Sequence, residues 1–181
     1  MAIRTALSEA FGLQYPIVLA PMALVSGGRL AAAVSNAGGL GLVGGGYGDP
    51  DWLREELSLA RDEAERPWGV GLITWSATHE TVELALNWEP HAFMLSFGDP
   101  VPYARAIKEA GCRLICQVQD VEGALEAGAA GADFVVAQGT EAGDGRACSA
   151  MELCLWSAEW CAASYKVNKH PTWIVRVAGF R

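Results

Sequence analysis

Residues 17–46 decide the fold, and they read IVLAPMALVSGGRLAAAVSNAGGLGLVGGG. The stretch is apolar, but Pro21, Arg29 and Asn36 interrupt it. No unbroken apolar run reaches the roughly 18 residues that a membrane-spanning helix needs. The pattern instead predicts two short buried strands, Ile17–Ala20 and Leu40–Val43, on either side of one helix.

The same unit recurs along the chain. Further apolar runs occupy Gly69–Ile73, Ala92–Phe97, Arg113–Val118 and Phe134–Ala137, and successive runs start 21 to 29 residues apart. This spacing suits alternating strands and helices. Because the runs are continuous rather than alternating in polarity, they are typical of strands buried on both faces of a parallel sheet.

The predicted helices begin at residues that favour N-caps. These residues are Ser26, Thr78, Asp99 (followed by Pro100) and Asp120. Gly38 and Gly111 stand where a glycine would end a helix. The sequence therefore predicts an α/β fold, which could be an open doubly wound sheet or a closed (β/α)₈ barrel. No G-x-G-x-x-G or P-loop motif follows the first strand, which disfavours a nucleotide-binding doubly wound sheet.

Composition excludes several classes of function. The 181 residues include 21 acidic and 13 basic side chains, for a net charge of −8. This acidic balance argues against nucleic acid and against an anionic membrane surface as partners.

Five cysteines are too few for a disulfide scaffold, and we expect a cytoplasmic protein. Cys154 and Cys161 lack the short spacing of metal ligands, so no metal site is expected.

Three segments carry a resemblance to a known family. They are Pro16–Ala23 (PIVLAPMA), Ser35–Gly41 (SNAGGLG) and Ala137–Gly143 (AQGTEAG). In this order and at these separations, they resemble the nitronate monooxygenase family, formerly called 2-nitropropane dioxygenases, over roughly residues 10–143. The resemblance implies a TIM (β/α)₈ barrel with FMN at the C-terminal ends of its strands. It also implies oxidation of alkyl nitronates by O₂ to a carbonyl compound and nitrite. Flavin enoyl reductases share parts of these segments.

The resemblance implies a set of cofactor-binding residues. They are Ala20, Pro21, Met22, Ala23, Gly71, Gln117, Gln138 and Gly139. The first four form a turn whose small residues and rigid proline let the main chain approach a flat isoalloxazine ring. Gly71 stands where many members carry an asparagine that contacts the flavin. Gln117 would bond the pyrimidine edge, and Gln138 would bond flavin or substrate. Asp133 lies at the opposite end of its strand and is interpreted as a structural turn residue.

The catalytic residue is unknown at this stage. After Gly143 the family motif continues to a glycine and a histidine, the proposed base or nitronate-binding group, whereas this chain reads Asp144-Gly145. Asp144 is a poor substitute, because an ionised carboxylate would repel an anionic nitronate. His79 is expected to be solvated, and His91 precedes a strand on the side away from the site.

Residues 144–181 do not resemble the family. They are too few for two more units at the observed spacing, although Thr172–Val177 could form a strand. We therefore expect a partial FMN-binding TIM barrel of about six parallel strands over residues 1–143, followed by a divergent tail, 144–181. Weak FMN binding and impaired activity would follow. Two alternatives remain: a non-catalytic incomplete barrel that self-associates through its open edges, and a flavin enoyl reductase-like enzyme.

Overall fold

The computed structural model describes residues 4–138 and the backbone of residues 173–176. The helices in this part of the chain are α1 Ala6–Phe11, α2 Gly28–Asn36, α3 Pro50–Glu63, α4 His79–Leu86, α5 Val101–Glu109 and α6 Val121–Ala129. The strands are β1 Gly41–Gly44, β2 Trp68–Ile73, β3 Ala92–Ser96, β4 Arg113–Val118, β5 Phe134–Ala137 and β6 Trp173–Arg176. Among the described helices, none is long and apolar enough to cross a membrane.

Strand order separates the two architectures that the sequence left open. The six strands pair in the order β1-β2-β3-β4-β5-β6, and every pairing is parallel. A doubly wound sheet reverses its strand order at a switch point, whereas a barrel adds each strand beside the previous one. The consecutive order confirms the prediction of barrel-type winding with about six parallel strands.

The first predicted strand, Ile17–Ala20, does not form a regular strand, although the segment lies where the prediction placed it. Ile17–Ala20 forms only a single parallel bridge, between Val18 and Leu40. Turns at both ends cut it short. The Ile17 amide donates to the Tyr15 carbonyl at 2.8 Å, and the Met22 amide donates to the Ala20 carbonyl at 2.9 Å. The segment nevertheless lies beside the start of the sheet, as a first barrel strand would.

Two of the four predicted N-caps are confirmed, since Thr78 and Asp120 accept hydrogen bonds from backbone amides three residues on. Asp99 lies one residue too early, because Pro100 is the N-cap of α5, although its carboxylate accepts a hydrogen bond from the first amide of that helix. Ser26 does not cap α2, because its hydroxyl donates to the Met22 carbonyl instead. The Gly28 amide at the start of that helix donates to the Glu56 carboxylate of α3 at 2.6 Å.

Two apolar cores lie on opposite faces of the sheet. The larger one packs the sheet against α2–α6. The smaller one lies on the inner face and contains Leu42, Met94, Ile115 and Val136, with residues of α1 at its base. Phe11 of α1 packs against Phe134 at the beginning of β5, with ring centroids 5.8 Å apart. The inner face is therefore closed at the N-terminal ends of the strands, and a site can form only at their C-terminal ends.

Asp133 has the structural role that the sequence suggested. Its carboxylate accepts hydrogen bonds from Lys108 at 2.7 Å, from the Leu114 amide at 2.8 Å and from Arg113 at 3.1 Å. Burial alone would raise the pKa of this carboxyl, but the bonds from Lys108, Leu114 and Arg113 together lower it below its ordinary value. The carboxylate thus joins the start of β4 to α5 at the end of the sheet away from the site.

Candidate functional site

The inner face changes from apolar to polar as the strands reach their C-terminal ends. Side chains in a strand alternate between faces. Two residues beyond Met94 and Ile115 of the inner core, β3 and β4 therefore present Ser96 and Gln117, which are in register. Gln138 follows Val136 in the same way. We call this end of the inner face the mouth of the barrel.

Four polar side chains at the mouth form one hydrogen-bonded row. The Ser96 hydroxyl donates to Gln117 Oε1 at 3.2 Å, and Gln117 Nε2 donates to Gln138 Oε1. Gln119 Nε2 donates to the same Gln138 oxygen at 3.2 Å. We call these four residues the amide row. It brings together Gln117 and Gln138, two of the residues that the sequence singled out.

Ser96 and Gln119 were missed by the sequence interpretation. A signal for Gln119 was present, since it lies two residues after Gln117 and the two-residue period of a strand carries both to one face. Ser96 could have been found in the same way from the end of its apolar run. Neither residue type is distinctive enough at a strand end to be selected without the hydrogen-bond geometry.

The turn formed by Ala20–Ala23 lies across the ends of β1 and β2. A side chain on Gly71 would collide with the ring of Pro21, and one on Gly44 would collide with the Met22 carbonyl. That carbonyl also accepts hydrogen bonds from the Ser26 amide and the Ser26 hydroxyl, both at 3.0 Å. The turn is therefore fixed in place, while the side chain of Met22 remains 48% exposed.

This packing explains why position 71 is a glycine in this chain. The ring of Pro21 fills the space that a side chain at position 71 would occupy. The asparagine found there in many family members therefore does not fit beside Pro21 in this arrangement. The turn and the amide row lie at the same end of the inner face, above different strands.

Two large aromatic side chains stand in the loops that follow β1 and β2. Tyr47 is 63% exposed and Trp75 is 66% exposed, and their ring centroids are 6.0 Å apart with planes tilted by 40°. Sequence reasoning missed this pair, because exposure and pairing across two loops leave no periodic signal. A separate cavity of about 240 Å³ lies on the outer face, where Cys116 of β4 and Gly123 of α6 line it together with Gln117.

The other reactive groups in the described residues are outside the amide row. His79 is exposed at the start of α4, after the loop that carries Trp75, and its ring packs 5.1 Å from that of Tyr103. His91 precedes β3 at the opposite end of the sheet. Cys116 faces the outer core, where burial, with a further contribution from Asp133, raises its pKa to about 12. Its thiol is therefore unreactive at neutral pH. Gly139 and Asp144 lie outside the described residues.

No metal-binding group is present in the described part of the chain, where no three His, Cys, Asp or Glu side chains come together. The described residues at the mouth present amides, backbone groups, Met22 and aromatic rings. Groups of these kinds suit the binding of a planar ligand.

Known proteins resemble the chain in both sequence and fold. The family model for nitronate monooxygenase matches residues 4–80. The nitronate monooxygenase of Paraburkholderia phytofirmans is 31% identical over an alignment that covers 79% of this chain and 50% of that protein. The chain belongs to the nitronate monooxygenase family. It spans about half the length of the curated relatives it matches.

Solved structures support the fold of this nitronate monooxygenase family member. FabK from Thermotoga maritima is similar with a TM-score of 0.77 and 28% identity, covering 96% of this chain and 61% of that one. A nitroalkane oxidase from Streptomyces ansochromogenes is similar with a TM-score of 0.73 and 28% identity, covering 97% of this chain and 61% of that one. The shared fold agrees with the partial barrel seen in the strand order.

Proposed function

We propose that the chain provides a flavin-binding mouth for the FMN-dependent oxidation of alkyl nitronates by O₂, which yields a carbonyl compound and nitrite. The observation that carries this proposal is the amide row, in which Gln117 and Gln138 are hydrogen-bonded to each other opposite the Pro21 turn. Family membership supports the same reaction. The cytoplasmic location expected from the cysteines stays a prediction.

The residues at the mouth fit the ring system of a flavin. Isoalloxazine is flat, and its pyrimidine edge carries both carbonyl oxygens and an N–H group. Glutamine side chains both donate and accept hydrogen bonds, so Gln117 and Gln138 complement such an edge. Gly44 and Gly71 let the turn pack directly on the ends of β1 and β2, which fixes the position of Ala20–Ala23. The small residues of this turn let a flat ring approach its backbone closely.

Under this proposal each part of the chain has a defined task. The Ala20–Ala23 turn and the amide row would hold the flavin, which would supply the redox chemistry between the nitronate and O₂. The amide row orients the polar edge of the ring, and the turn from Ala20 to Ala23 limits its position from the other side. Met22, half exposed at the mouth, excludes water from the place where a substrate would meet the ring.

Purified full chain should be titrated with FMN while the visible spectrum and the flavin fluorescence are recorded, and nitrite should then be assayed with ethyl nitronate and O₂. We expect weak binding and slow turnover, because the family histidine, which would bind the nitronate, does not follow Gly143. Tightly retained stoichiometric flavin with rapid nitrite release would show that the chain is not impaired. No change in the FMN signal at millimolar concentration would overturn the proposed function. NAD(P)H oxidation with FMN but no nitrite would favour the enoyl reductase-like alternative.

A non-catalytic, self-associating barrel is the second candidate, and the exposure of Ile17 favours it. This residue is apolar and 60% exposed, although it belongs to the segment beside the first strand. Exposed apolar residues near a sheet edge promote pairing between chains. Size-exclusion chromatography with light scattering distinguishes the two, since a stable monomer that binds FMN would contradict this candidate.

A further inference from the structure

The exposed aromatic pair, Tyr47 and Trp75, has no role in the reaction described so far. The two rings touch neither core, and each leaves about two thirds of its surface in solvent. Large aromatic side chains bury much apolar surface when they find a partner. Two such exposed rings side by side at the mouth of the barrel therefore indicate that a ligand packs against them.

The loops that carry the pair are tied down rather than loose. In the first loop, Trp52 Nε1 donates to the Gly44 carbonyl at 3.0 Å, and Gly46 and Gly48 adopt positive φ angles of 60° and 85° on either side of Tyr47. In the second, the Ser76 hydroxyl donates to the Ile73 carbonyl at 3.0 Å. The backbone thus holds the two rings in solvent.

The two loops also support each other and the neighbouring helix. A side chain at Gly48 would lie 3.2 Å from the Ser76 carbonyl oxygen, so the loops are in close contact there. The Tyr103 hydroxyl of α5 donates to the Ala77 carbonyl at 2.7 Å and anchors the end of the second loop. These contacts fix the position of the aromatic pair relative to β1 and β2.

The mouth therefore has two sides of different chemistry. The amide row stands over β3, β4 and β5, and offers hydrogen bonds to polar groups. The aromatic pair stands over β1 and β2, close in sequence to the glycine-rich strand ends, and offers apolar faces and edges. A small nitronate has nothing that would reach the second side.

We propose that Tyr47 and Trp75 determine substrate specificity by binding an aryl group carried on the carbon next to the reacting carbon of the nitronate. The inference rests on the proposed function, which it extends to a substrate class. A planar aryl ring suits the pair best, because rings 6.0 Å apart and tilted by 40° leave both a face and an edge available for a third ring.

Binding should be tested on the full chain with carboxylates that cannot react. A carboxylate is planar and anionic like a nitronate, so 3-phenylpropionate and propionate differ only in the aryl group. Isothermal titration should show about ten-fold tighter binding of 3-phenylpropionate, the size expected for an aromatic contact with its buried area. Trp75→Ala and Tyr47→Ala should each remove most of this preference, with circular dichroism confirming that the variants fold. Leu125→Ala, which changes an exposed apolar residue on α6, is the matched control and should leave the preference intact.

The outcomes separate this inference from the proposed reaction. Equal binding of the two carboxylates, or a preference that survives both aromatic substitutions, would overturn the inference even if nitronates are oxidised. An aryl preference that depends on Trp75, without nitrite release from any nitronate, would support the aromatic binding site and contradict the proposed reaction. If Trp75→Ala instead converts a dimer into a monomer without changing carboxylate binding, the pair serves a second copy of the chain and the inference is wrong.

Discussion

Pro21 lies against Gly71, and its ring fills the space that a side chain on Gly71 would need. The contact joins a turn near the beginning of the chain to a strand some fifty residues later. It therefore fixes where the Ala20–Ala23 turn lies at the mouth, which local preferences within the turn could not do.

Replacing Gly71 should reveal the strength of this contact. Gly71→Ala places a methyl group where Pro21 Cβ and Cγ lie, and we expect a loss of about 1–3 kcal/mol in the free energy of unfolding, as for overpacking elsewhere. Urea unfolding measures it. The Pro21→Gly, Gly71→Ala double variant should recover part of the loss, since it removes both colliding atoms, Cβ and Cγ of Pro21.

Gly123→Ala is the control for the glycine substitution. Gly123 lies within α6, and an added Cβ would meet its nearest neighbours at ordinary distances, 3.4 Å or more. This change should be neutral or stabilising, because alanine favours a helix over glycine by up to about 1 kcal/mol. A Gly71→Ala variant as stable as Gly123→Ala would show that the turn moves freely away from β2.

Truncating the amide row should weaken flavin binding without unfolding the chain. We expect Gln117→Leu to raise the dissociation constant for FMN by about five- to ten-fold, the effect of losing roughly one hydrogen bond. Quenching of flavin fluorescence measures the constant. Gln14→Leu alters an exposed glutamine before the first strand segment and should have no effect. Equal FMN affinity in the two variants would remove the amide row from the flavin site.

Asp133 should make stability depend on pH in the acid range. Its folded-state pKa lies below the ordinary value of 3.8, so protonation is harder in the folded chain than in the unfolded one. The stabilisation is therefore complete above the ordinary pKa and is lost as pH falls through the folded value. At pH 7, Asp133→Asn should cost about 1–3 kcal/mol, because charged hydrogen bonds from Lys108 and Arg113 are weakened.

The pH profile gives the sharper test of Asp133. The difference in unfolding free energy between the wild-type chain and Asp133→Asn should shrink as pH falls below about 4. Asp62→Asn, at an exposed position on α3, should show no comparable difference at either pH. A constant gap between wild type and Asp133→Asn from pH 7 to acid would mean that the carboxylate charge does not stabilise the fold.

Continuous apolar runs were sufficient to predict β1–β5 to within one residue at either end, because strands buried on both faces leave that signature. The failures have tertiary causes. Ser26 does not cap α2, and the carboxylate of Glu56, 28 residues beyond Gly28, accepts the hydrogen bond from the Gly28 amide instead. Ile17–Ala20 is cut short by turns, which hydropathy does not record.

The candidate site was predictable only in part. Gln117, Met22 and Pro21 were found through a family resemblance, and the structure places them at one end of the inner face. Tyr47 and Trp75 were not found, because an exposed pair built from two loops depends on backbone geometry that no local pattern encodes.

Neutral nitroalkanes should be much poorer substrates than nitronates. A nitronate is a nitroalkane that has already lost its α-proton, so its oxidation requires no base, whereas the neutral compound needs one. Among residues 4–138, the ring of His79 packs against Tyr103, His91 lies at the opposite end of the sheet, and the amide row cannot accept a proton at neutral pH. We therefore expect nitrite release from ethyl nitronate to exceed that from nitroethane by at least about 100-fold, the usual contribution of a general base.

Added imidazole tests the reason for this difference. It should accelerate nitrite release from nitroethane by serving as the missing base, and it should leave the rate with ethyl nitronate unchanged, since that reaction has no proton to remove. Comparable rates with the two substrates in the absence of imidazole would show that the chain supplies a base of its own. In that case the replacement of the family histidine by Asp144-Gly145 would not impair proton abstraction.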